Sequence, residues 1–181
     1  MVSKSKKPPP PPFNLYHGVP AGWRVEEIIV RYKTLHGPLE KLTIDDISPV
    51  QSQWTQGQNL WVGYANALVF IGDGIVRNDH ACVELAIDYI ILDHFGSGSG
   101  YAPSRFARRL KHAQLDKQQK ARLCAHFERL CQSRTRRYEF RHYRMLWQRI
   151  VPPDEWLSLT TIYPFLDTQS AAYLEYSRRG R

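Results

Sequence analysis

The sequence predicts an all-α protein, an antiparallel helical bundle or a stack of helical hairpins with about six to eight helices. Three observations carry that prediction. Apolar residues recur at i, i+3, i+4 and i+7 through successive segments, the spacing of one helical face. Helix-start and helix-stop residues bracket those segments, as with Asp116 and Gln119 before Leu123, or Gly37-Pro38 after Leu35. Sustained apolar–polar alternation is absent. Residues 60–76 are the exception, where a small β-hairpin is the alternative to a helix.

The first amphipathic element holds Val25, Ile28, Ile29, Tyr32 and Leu35 on one face, with Glu26 and Glu27 in its first turn. Residues 38–58 read as a short apolar turn (Leu39, Leu42, Ile44, Ile47) and a glutamine-rich loop carrying Trp54, whose ring belongs in the core. Leu60 to Ile71 is apolar nearly throughout. A buried helix there uses Gly63 for close approach and stops at Gly72-Asp73-Gly74, whereas a hairpin uses the Asp-Gly pair as its turn. Asn78 or Asp79 then caps a helix running to about Phe95, with Val83, Ala86, Ile87, Ile90 and Ile91 as its wide apolar surface.

Gly96 to Gly100, alternating glycine and serine, is a connection. It lacks the Lys-Ser or Lys-Thr pair of a phosphate-cradling loop. Ser104 opens the next helix, with Phe106, Leu110 and Ala113 on its apolar line and Arg105, Arg108, Arg109 and His112 on a neighbouring face. Asp116 and Gln119 form a capping box for a helix whose buried stripe is Leu123, Cys124, Phe127, Leu130 and Cys131. The two cysteines lie roughly 10 Å apart along that helix, too far to bridge, and read as core thiols. Thr135 to Ile150 sets Phe140, Tyr143, Leu146, Trp147 and Ile150 against Arg134, Arg137, Arg141 and Arg144. After Pro152-Pro153, a short helix holds Trp156, Leu157 and Leu159, and a last segment spans Thr168 to Tyr176.

Domain organisation follows: a disordered Lys/Pro tail over residues 1–12, one helical domain over 13–176 and a flexible basic end over 177–181. At 181 residues and 43% hydrophobic, the chain can bury a core without help. No apolar run reaches the roughly 18 residues of a membrane span, and the N-terminus has no apolar signal core. Three unpaired cysteines with no framework spacing fit a reducing cytoplasm.

Charge is where function enters. Residues 101–150 carry 14 Lys and Arg against 3 acids, a local +11 in a chain whose total is +8. Such a field draws anionic partners, and arginine suits bidentate capture of carboxylate or phosphate. The candidate binding residues are Arg105, Arg108, Arg109, Arg134, Arg137, Arg141 and Arg144. The leading expectation is a non-enzymatic interaction module, of adaptor, regulatory or immunity type, that binds an acidic protein partner. The alternative partner is nucleic acid, contacted through its phosphates. No membrane partner and no cofactor are expected, and the sequence sets no oligomeric state.

Two resemblances bear on this. Phe106-Ala107-Arg108-Arg109 and Phe140-Arg141-His142-Tyr143, 34 residues apart, are similar to the helix-pair periodicity of HEAT and tetratricopeptide arrays, which implies a binding scaffold without catalytic residues. Arg137-Tyr138-Glu139-Phe140-Arg141-His142 resembles the Arg-x4-His signature of the HEPN ribonucleases. It implies, as an alternative, catalysis with Arg137 on phosphate charge and His142 in proton transfer. A metal site is not expected, although His80, Glu84 and Asp88 share one helical face and are the alternative ligand set.

Overall fold

The computed structural model describes residues 19–37, 56–94, 102–133 and 140–168, with 56–62 described by backbone alone. The Lys/Pro tail, residues 38–55 with Trp54, the Gly/Ser connection, Arg134 and Arg137, and the chain beyond 168 lie outside the described residues. Within them the fold is helical: α1 Val25–His36, α2 Gln56–Val76, α3 His80–Leu92, α4 Ala102–Leu110, α5 Lys117–Gln132, α6 Phe140–Ile150 and α7 Pro153–Ile162, then a 3-10 turn Pro164–Leu166. The described residues contain no strand, and the helices pack on one another as a compact bundle.

The β-hairpin alternative in 60–76 is overturned. Gly72-Asp73-Gly74 neither turns nor stops the chain, because α2 runs unbroken to Val76. Its glycines serve packing: a Cβ on Gly74 would lie 2.2 Å from Cys82 Sγ, and one on Gly72 2.6 Å from Arg109 Nη1. The turn comes three residues later. Asn78 adopts a left-handed φ of 55°, its N–H bonds Ile75 O, and the Asp79 N–H reaches back to Gly74 O, the paired closure of a Schellman C-terminus. Asp79 then caps α3 by accepting from the Cys82 N–H at 3.0 Å. Two helices are thus joined by three residues and held antiparallel.

α3 is the central element. Eight of its thirteen residues are buried, and it touches α1, α2, α4 and α5. It ends at Leu92 with Asp93 in left-handed conformation, short of Phe95. Around it Ile28, Leu68, Ile71, Leu85, Ile87 and Phe106 are fully enclosed, each aliphatic side chain contributing about 1.5–3 kcal/mol by leaving water. A second aromatic group ties α5 to α6, with Phe127 stacked on Tyr143 at 5.3 Å and Trp147 5.8 Å from Phe127. Trp156 then meets Trp147 edge-on at 6.1 Å, which docks α7, a helix with no fully buried residue.

Candidate functional site

α4 is the helix on which the expected binding residues gather. Ala102, Pro103, Ser104, Phe106, Ala107 and Leu110 are buried, since α2, α3 and α6 all pack against this one short helix. At ~100° per residue those positions take up most of its circumference. The remaining arc is Arg105, Arg108 and Arg109, with exposed His112 in the following turn.

The three arginines have different surroundings. Arg109 Nη1 donates to Asp73 Oδ1 of α2 at 2.7 Å, its guanidinium lying over Gly72 where any Cβ would displace it. Arg108 is exposed and makes no ion pair among the described residues. Arg105 is half-buried, and its Nε is buried without a hydrogen-bond partner. Burial, and then the neighbouring Arg109, push its pKa below the usual arginine value, Asp73 opposing and Arg108 adding to the shift. Among the described residues Asp73 therefore bears on Arg109 and Arg105, and Arg108 makes no ion pair.

Of the other candidate arginines, two are described, both on α6. Arg144 is half-buried on α6 and donates from Nη1 to Leu166 O at 3.3 Å, toward the 3-10 turn. Arg141 is exposed on the same helix. Arg134 and Arg137 lie outside the described residues, so the Arg137–His142 pair of the ribonuclease resemblance is described only at His142, half-buried on α6.

In the alternative metal set His80, Glu84 and Asp88, both carboxylates have other partners. Glu84 accepts from Gln119 Nε2 at 2.8 Å and from Arg122 Nη1 at 2.6 Å. Asp88 accepts from Arg122 Nη2 and, at 2.5 Å, from Arg31 Nη2. His80 is exposed. The carboxylates are thus occupied by two guanidiniums, which supply the positive charge a cation would bring, and no metal-ligating cluster of three side chains exists among the described residues. Arg31 also lies over the Trp23 ring at 4.6 Å, so this clamp joins α1, α3 and α5.

Sequence reasoning passed over His126. It is 2% exposed on α5, with Arg129 Nη2 at 3.0 Å from its Nδ1. Arginine only donates, so Nδ1 accepts and the proton sits on Nε2, which is buried without a partner. Burial, reinforced by Arg129, lowers its pKa to about 4. Its signal was the spacing Leu123, His126, Leu130, which puts it on the buried stripe. The cysteines are free thiols, Cys82 and Cys131 buried, and burial pushes Cys124 up to about 11, away from the thiolate form that reacts.

No helix of the described residues is long and apolar enough to cross a membrane. Comparison with protein-family models, with curated proteins and with solved structures returns no match.

Proposed function

We propose that this chain is a non-enzymatic helical interaction module that binds an acidic protein partner through α4. One observation carries the reading: the open arc of α4 consists of Arg105, Arg108 and Arg109, and among the described residues one ion pair, Arg109 with Asp73, is made on that arc. Like charges on one arc oppose folding, and a half-buried guanidinium with an unmet Nε adds a desolvation cost. Partner carboxylates remove both, because a guanidinium fork takes a carboxylate in bidentate fashion. The helices beneath the arc are packed on a buried core, so the guanidiniums are presented on a rigid element.

Co-purification under mild cross-linking tests this, using the wild-type chain and Arg105→Glu/Arg108→Glu. The expected result is a partner with clustered Asp and Glu that the reversed variant loses while its helical circular dichroism is unchanged. Equal recovery by the variant refutes the reading. Nuclease-sensitive recovery of RNA or DNA, with binding that falls steeply as salt rises, replaces it with phosphate binding.

A further inference from the structure

We infer that the arginine arc of α4 is one wall of a mixed groove whose other wall is the Val69–Val76 stripe of α2, and that this groove takes an acidic amphipathic helix. The inference rests on the reading of α4 as the docking helix and names the form of its partner.

The register of the two helices carries the argument. Arg109 bonds Asp73, and the Gln114 N–H bonds Asn78 Oδ1 at 3.0 Å, both across a separation of 36 residues. The first pair joins the two helices and the second the turns that follow them, and equal separations in the same direction mean that α2 and α4 run parallel here, as α3 returning between them requires. In that register Arg105 stands level with Val69, and His112 with Val76. Val69, Asp73 and Val76 fall at i, i+4 and i+7, one stripe of α2. At ~100° per residue the two valines lie between Asp73 and Gly72, the side of α2 over which Arg109 passes.

Both valines are open to water, Val69 42% and Val76 65% exposed. A purely acidic loop would pair the arginines and leave the valines wet. A purely apolar helix would cover the valines and enclose guanidiniums without partners, which is strongly unfavourable. A segment that meets both walls carries apolar residues on one helical stripe and Asp or Glu along the adjoining one, the helix-in-groove mode of recognition.

The test is fluorescence anisotropy with the full chain and two synthetic Leu/Glu peptides of identical composition. One carries Leu at i, i+3, i+4 and i+7 with Glu on one flank; the other has the same residues scrambled. The patterned peptide should bind at least ~tenfold more tightly. Val69→Ser/Val76→Ser should erase that difference and keep the weaker binding, since both positions are exposed and the fold does not depend on them. Arg105→Ala/Arg108→Ala should weaken both peptides. Equal binding of the two peptides, with the arginine variant still weakening both, overturns the groove and leaves the acidic-partner reading standing. Binding of neither peptide overturns both.

Discussion

Arginine appears in two assemblies of opposite character in this protein. In the clamp, Arg31 and Arg122 meet Glu84 and Asp88, two charges against two, across three helices and with each guanidinium about one-third exposed. On α4, Arg109 pairs with Asp73, which also bears on Arg105, and Arg108 makes no ion pair among the described residues. The clamp is electrostatically closed and has little to gain from a further anion. The arc has an excess of guanidinium over carboxylate among the described residues, so an arriving carboxylate would meet uncompensated charge there. An arginine count therefore does not distinguish the two regions; the local balance of guanidinium and carboxylate does.

The largest expected effect separates the two regions by pH. The α5 half holds His126, whereas the buried residues of α4 include no titratable group. Unfolded histidine titrates near 6.5 and His126 near 4, so between those values the unfolded chain binds the proton first and stability falls as pH falls. The contribution is complete above pH ~6.5 and lost by pH ~4, amounting to about 3 kcal/mol. Hydrogen exchange should show α5 and α6 losing protection before α4 as acid is added, and His126→Leu should flatten the profile over that window. An unaltered profile in the variant would remove His126 as the cause.

The glycines of α2 give the next contrast. Gly74→Ala forces a Cβ onto Cys82 Cβ at 2.5 Å and Sγ at 2.2 Å in the core, an overpacking that should cost about 2–3 kcal/mol in chemical denaturation. Gly72→Ala meets chiefly the mobile end of Arg109 at 2.6 Å. Its better helix propensity should offset the lost exposed ion pair, leaving stability within ~1 kcal/mol. Equal costs would mean that Arg109 is held as firmly as the core.

Those glycines also mark where sequence stops being informative. Gly-Asp-Gly between apolar runs reads locally as a break, whether helix stop or hairpin turn, and its actual use depends on Cys82 and Arg109, contacts made only once the helices meet. The capping box of Asp116 and Gln119 was legible because both bonds close within four residues. The clamp was not, since its partners stand 34 to 57 residues apart. For the same reason Glu84 and Asp88 resembled metal ligands: acidic i, i+4 spacing fits a cation and a guanidinium equally. Arg105, Arg108 and Arg109 were legible as a face because helical periodicity alone sets them on one arc.

A third contrast removes the centre of the clamp. Arg122→Ala leaves Glu84 with Gln119 and Asp88 with Arg31, and it should lower stability by about 1–2 kcal/mol, a modest loss because the pairs are partly exposed. Urea denaturation of the variant measures it. Arg108→Ala, which breaks no ion pair among the described residues, should stay within ±0.5 kcal/mol.

The smallest effect has the opposite sign and is the most diagnostic. Arg105→Met keeps a long apolar side chain and removes a guanidinium whose Nε is buried unpaired and which Arg109 and Arg108 repel. An arginine held only for stability would lose stability when truncated. An arginine held for a partner should leave the isolated chain unchanged or up to about 1 kcal/mol more stable, because repulsion and desolvation are both relieved. The same substitution should weaken binding of an acidic peptide. Thermal denaturation and anisotropy on one preparation read both quantities, and a variant that loses stability while keeping its peptide affinity would return Arg105 to the class of the clamp.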